Sequence, residues 1–296
     1  MKNIGEQATN KLKIVGKLLD CTFRNGTLKT GSQYESVNFT IRTTHTYSGR
    51  EETSEIPVSI FATPTTSTGK AHPGWRCIQE MKQMKTVQEV GEAAASRISL
   101  TSANVRENNF VTRSGQLISG WQINTPFISN GGNISDTAIF DIDIFIMDMH
   151  DELDREGDPT GRFIVKGGVV QYGGKLDVIE FVVEQQDYID FVQRNWNVND
   201  TVHAGGHIRY TSVEEKRTAS NSSWGEEVEE TSTRTARELI ITRGSDEPFE
   251  EEFAYDPADI KKAFNVRKAN IEQLQINATN KPAAKPAAES SKYSWE

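Results

Sequence analysis

Apolar and polar positions alternate with a period of two along much of this chain, as half-buried β-strands require. Residues 12–23 form an apolar, β-rich run. Residues 34–44 alternate cleanly, with Val37, Phe39 and Ile41 on one face and Ser36, Asn38, Thr40 and Arg42 on the other. Residues 55–62 repeat the pattern, with Ile56, Val58 and Ile60 inward and Ser59 and Phe61 outward. A loop rich in Thr, Pro and Gly at 63–74 leads into a helix, where Trp75, Ile78, Met81, Met84 and Lys85 recur at helical spacing. Two further strands, 97–106 and 116–128, are joined by a polar loop. The predicted order is β-β-β-α-β-β.

The middle of the chain predicts the same order again. Residues 138–149 alternate, with Phe140, Ile142, Ile144 and Ile146 on one face and Asp141 and Asp143 opposite. A polar loop at 150–161 precedes strands at 162–172 and 176–183, joined by a Tyr-Gly-Gly-Lys turn. Residues 186–196 read as a helix, 201–213 as a strand, 214–233 as a long polar loop and 234–243 as the last strand. A repeated order in successive segments is stronger evidence than either copy alone. Beyond it, residues 245–255 are acidic and aromatic. Asp256-Pro257 opens an imperfectly amphipathic helix to about Ala278, and 280–296 has too little to bury and predicts disorder.

Five strands with a helix between the third and fourth is the plan of the OB-fold, a small Greek-key barrel. The expectation is therefore an all-β protein with two tandem OB-fold domains, 1–133 and 134–243, and a helical then disordered tail at 244–296. The stretch Asn-Asp-Thr-Val-His-Ala-Gly-Gly-His-Ile-Arg at 199–209, preceded by a helix ending in Trp196, resembles the helix-to-fourth-strand passage of single-stranded DNA-binding OB domains. A looser version lies at 87–106. The chain thus resembles tandem-OB single-stranded DNA-binding proteins of phage replication and recombination systems, over about 230 residues by topology and about a dozen by motif. The resemblance implies a non-catalytic protein that coats DNA with little sequence preference, through phosphate neutralisation and base stacking.

At first sight the overall charge opposes that implication. Among 296 residues, 33 are basic and 42 acidic, a net of −9, whereas phosphates attract basic proteins. The charge is unevenly spread: +5 over residues 1–133, −11 over 134–243 and −3 over 244–296. DNA is accordingly expected on the first domain. The second domain or the tail is expected to contact replication or recombination proteins, and self-association stays open. No apolar run reaches the ~20 residues of a membrane span and residues 1–10 lack a signal sequence, so no membrane partner and a cytoplasmic location (that of the host cell, if phage-encoded) are expected.

Single-strand binding needs cations for the backbone and aromatic faces for splayed bases. On the outward faces and loops of the first domain these are Arg24, Lys29, Tyr34, Arg42, Tyr47, Arg50, Phe61, Lys70, Arg76, Arg106, Phe110 and Arg113. Alternation singles out Arg42 and Phe61. Trp75 and Trp121 read better as packing residues. A secondary DNA contact falls on the long loop of the second domain and its flanks, at Lys216, Arg217, Trp224, Arg234 and Arg237. In the tail, Phe249, Phe253, Tyr255 and Trp295 are candidates for partner binding, in an acidic and aromatic setting like that of replication-type single-strand binders.

Other chemistries find little support. Two cysteines, Cys21 and Cys77, cannot complete a four-ligand zinc site, and the acidic run 148–158 misses the calcium-loop register. No nucleotide-binding, serine-hydrolase or zinc-protease motif occurs, so no enzyme activity, metal or cofactor is expected. Asp141, Asp143 and Asp148 suggest a Mg²⁺ nuclease only weakly, beside the simpler role of a charged face that blocks sheet aggregation. The main alternative is a protein–protein adaptor built on β-barrels, for which net acidity is natural. A contiguous positive groove across Arg42, Phe61 and Arg106 would favour DNA; scattered positives would favour the adaptor.

Overall fold

The computed structural model describes residues 1–112, 114–154, 156–219 and 228–279. Its first half contains β1 (Asn10–Thr27), β2 (Gln33–Tyr47), β3 (Arg50–Ala62), α1 (Pro73–Met81), the single turn α2 (Val87–Val90), β4 (Arg97–Val111), β5 (Leu117–Asn124) and the short β6 (Ser129–Asn130). Pairing closes on itself. β1 pairs with β2, β2 with β3, β3 with β5 in parallel, β5 with β4, and β4 with β1. The alternating apolar residues fill this circuit: Val37, Phe39, Ile41, Ile56, Val58 and Ile60 are all buried. α1 packs Cys77, Ile78 and Met81 into the same core, its start capped by the His72 ring, which accepts from the Gly74 amide at 3.1 Å.

The second half repeats the scheme with β7 (Thr137–Leu153), β8 (Pro159–Gln171), β9 (Lys175–Val183), α3 (Gln186–Asn195), β10 (Thr201–Ala219) and β11 (Val228–Gly244). β7, β8, β9, β11 and β10 pair in that order, β9 with β11 in parallel, and β10 returns to β7. The circuits are fused by one antiparallel joint, from Asn10 opposite Ile142 to Val15 opposite Thr137. The chain is all-β and OB-fold-like.

Strands run farther than the apolar alternation suggests. The polar stretch expected as a loop at 214–233 continues β10 to Ala219 and resumes β11 at Val228, with paired backbones. His150 and Leu153, placed in the 150–161 loop, likewise belong to β7. Backbone pairing satisfies amide and carbonyl groups whatever the side chains, so a strand can continue through a stretch that shows no hydrophobic period.

Alternation also misplaces Asp143. It is buried, 6% exposed, because the N-terminal residues and the segment after β11 cover the second face of β7. Burial opposes its charge, yet hydrogen bonds from His203 (2.8 Å) and the Thr9 amide (3.0 Å) hold its carboxyl below the usual range. The same covering segment corrects the assignment of Tyr255 to an accessible tail. Only 2% exposed, Tyr255 donates its hydroxyl to the Glu6 carbonyl at 2.8 Å, and its amide bonds Thr201 Oγ1 at 3.1 Å. From there α4 (Pro257–Thr279) runs past β9 and β4.

β10 bends at a bulge between Gly205 and Gly206, where it serves β7 and β11 together. A Cβ on Gly206 would lie 1.8 Å from the Ile240 carbonyl oxygen. Gly206→Ala is expected to destabilise the fold by ~1–3 kcal/mol through forced backbone movement, read as a lower urea midpoint with an unchanged slope.

Candidate nucleic-acid interface

The outer face of β1, β2 and β3 follows from the register. Thr22 lies opposite Asn38, which lies opposite Ser59; Asp20 lies opposite Thr40, which lies opposite Pro57. These short side chains floor a groove of 280 Å³, walled by Trp121 of β5 and by Tyr210 and Arg237 from β10 and β11. Two residues farther along the face, Arg24 lies opposite Ser36 and Ser36 opposite Phe61. There Phe61, 54% exposed, stacks on Tyr34 with ring centroids 5.1 Å apart. Arg24 is exposed and makes no ion pair among the described residues. Lys29, also exposed, lies in the adjoining β1–β2 turn.

The wall carries a second aromatic–cation group. Arg237 donates to the Trp121 carbonyl at 2.7 Å and to the Tyr210 hydroxyl at 2.9 Å. Its guanidinium carbon lies 5.6 Å from the Trp121 ring centroid and 5.1 Å from that of Tyr210, within cation–π range. Trp121 is 8% exposed and belongs to the core, as its register suggested, yet its edge lines the groove. Trp121 and Arg237 also line a neighbouring groove of 680 Å³ over β8 and β9, with Arg162, Lys166 and Arg267. Sequence reasoning named Arg237 but not Tyr210. No local signal marks Tyr210, because the residues it meets, Ser54 and Arg237, lie on β3 and β11.

The remaining candidates scatter. Arg42 does face outward, but six register positions from the Ser36–Phe61 pair, ~20 Å along the strand. There its charge is matched: it bonds Glu55 at 2.8 Å and also Glu92, which Lys17 joins at 3.0 Å. Arg106 bonds Asp177 of β9 at 2.8 Å. Burial raises the Asp177 carboxyl, and Arg106 offsets this only in part. The contiguous positive groove across Arg42, Phe61 and Arg106 that would favour DNA is therefore not formed.

Tyr47 is buried against His207 and Arg209. Arg50 is exposed at the opposite end of the β2–β3 hairpin from Phe61. Lys70 is exposed in the loop before α1, and Arg76 pairs with Glu80 on α1. Phe110, on the β4–β5 hairpin, is 49% exposed. In the C-terminal segment Phe253 is exposed and Phe249 half-buried. Arg113, Trp224 and Trp295 lie outside the described residues, as do the side chains of Lys216, Arg217 and Arg234.

Arg209 sets the wall against the groove. It bonds Glu52 of β3 at 2.8 Å, Glu238 of β11 at 3.1 Å and Glu184 just after β9, and Arg162 reaches the same Glu238 at 2.7 Å. Burial works against its charge, but the hydrogen bonds it donates to Glu184 and Glu52 hold Arg209 above its ordinary pKa.

With this geometry the chain can be compared with known proteins. The YorF family model matches residues 8–277, and the chain belongs to the YorF family. Comparison with curated proteins found no match. Among solved structures, the wild-type single-stranded DNA binding protein from Thermus aquaticus is similar at a TM-score of 0.50 and 12% identity, over 86% of this chain and 99% of that one. A deletion mutant of that protein gives the same score and identity, over 85% and 98%. At this identity the likeness is one of fold.

Removing Arg209 would leave Glu52, Glu184 and Glu238 close together without their shared cation. Arg209→Met is expected to cost ~3–5 kcal/mol of stability, measured by urea unfolding at neutral pH.

Proposed function

We propose that the chain is a non-catalytic, sequence-independent single-stranded DNA-binding protein acting in replication or recombination. Each closed circuit is taken as one OB unit, with the boundary near residue 133. The observation that carries the proposal is the groove across β1, β2 and β3. It has stacked aromatics, Tyr34 and Phe61, beyond one end and the Trp121–Arg237–Tyr210 group in its wall. Splayed bases would stack on exposed Phe61 and Tyr34, while Arg24, Lys29 and Arg237 would neutralise phosphates. The OB-like fold shared with the Thermus aquaticus protein supports this reading.

A second reading has its own observation. The cations Arg42 and Arg106 are matched by carboxylates, so positive charge is scattered, which suits an adaptor that binds proteins.

Fluorescence anisotropy with labelled oligo-dT separates the two. Binding in the nanomolar-to-micromolar range is expected, weakening by ~0.7 logarithmic units per phosphate contact for each tenfold rise in salt. Phe61→Ala is expected to lose ~1–3 kcal/mol of binding, one stacked base. Arg237→Ala is expected to reduce the salt slope by ~0.7, while Asp141→Asn costs no affinity. No binding at low salt overturns the proposal in favour of the adaptor.

A further inference from the structure

We infer that His45 and His207 form an acid-sensitive joint between the two halves, packed while both rings are neutral and loosened when either takes a proton. The inference is independent of the DNA-binding reading. His45 belongs to β2 and His207 to β10, so the contact spans the two strand circuits. Their rings are parallel within 9°, with centroids 5.2 Å apart, and Tyr47 packs edge-on against His207 at 5.2 Å. Both ring nitrogens of His45 and Nδ1 of His207 are buried without a hydrogen-bond partner in the protein. A buried imidazole with no acceptor for its proton is held neutral, because charging it loses hydration with nothing in return.

The charged groups around the pair decide how a proton would fare. They are Glu52 of β3, Arg209 of β10, Arg243 of β11 and Asp136 ahead of β7, with Glu184 acting on Tyr47. Glu52 is the carboxylate suited to an imidazolium, but the Arg209 guanidinium already occupies it through two hydrogen bonds, at 2.8 and 3.2 Å. Arg209 and Arg243 repel a further cation, and protonating both rings would set two positive charges one stacking distance apart. Burial above all places both histidines below their ordinary pKa, helped by Arg209 and, at His207, by His45 and Arg243; Glu52, and Asp136 at His45, act the other way without reversing it.

The sign of the pH effect follows. A histidine whose pKa is lowered by folding binds protons more readily in the unfolded chain. Its contribution to stability is complete above the unfolded value of ~6.5 and declines as pH falls through it. His203 runs the other way: its hydrogen bond to Asp143 raises it, so its contribution is present at acid pH and is lost as pH rises through its folded value. Variants at 45 and 207 therefore report on the joint without disturbing that opposing group.

The test is urea unfolding of the full chain from pH 8 to pH 5, for the native protein and the double variant His45→Phe/His207→Phe, which keeps two stacked rings but cannot titrate. The native protein's unfolding constant is expected to rise with acid more steeply, by about tenfold for each unit by which folding lowers each pKa. Equal pH slopes overturn the inference. NMR titration of the native histidine rings provides a measure that needs no variant, should the double variant fail to fold. Midpoints of His45 and His207 below ~6.5 support the joint, and midpoints at or above ~6.5 overturn it.

Discussion

The antiparallel joint between β1 and β7 is the constraint on which the rest of the structure depends. Residues 10–15 of β1 pair with β7 along one edge and residues 12–17 with β4 along the other, before the strand continues and exchanges β7 for β2. That change of partner occurs at Gly16, where a Cβ would come within 2.2 Å of the Arg42 carbonyl oxygen. Because the joint is made of backbone hydrogen bonds in a fixed register, it sets the orientation of one strand circuit against the other. Tyr210 and Arg237 of the second half meet Trp121 and the groove of the first as a consequence.

Side chains then reinforce what the backbone sets. The Arg209 network ties β3 to β10 and β11; Arg106 ties β4 to β9; Arg267 of α4 bonds Glu107 of β4. Most of these pairs are partly buried, where an unmatched charge costs far more than on the surface. The same pairs consume cations that an isolated reading of the first half would assign to a polyanion. Among the first half's candidate cations, Arg24, Lys29, Arg50 and Lys70 stay exposed and make no ion pair among the described residues, and Arg237 stands at the wall between Trp121 and Tyr210.

The fold was largely legible along the chain, the site only in part. The inward sets Val37, Phe39, Ile41 and Ile56, Val58, Ile60 are buried as their period requires, and Phe61 emerges outward as alternation demands. The reading weakened where both faces of a strand are covered, as at Asp143 in β7, and where a strand runs on through polar residues, as from β10 into the 214–219 stretch. Period two reports a difference between faces, and covering both faces removes that difference. Arg42 faces outward as expected, yet its availability depends on Glu92, which the pattern along β2 cannot reveal.

The sequence by itself determined the strand periods, the order of elements in each half, and the contrast between a basic first third and an acidic middle. Those properties are local or summed, and need no knowledge of which strand lies beside which. Only the tertiary structure decided which charges are free, that Tyr255 is an anchor, that Trp121 and Tyr210 flank Arg237, and that His45 stacks on His207. Each of these depends on residues tens to more than a hundred positions away, brought within a few ångströms by strand pairing. Electrostatics and stacking act over those few ångströms of space, and distance along the chain does not measure them.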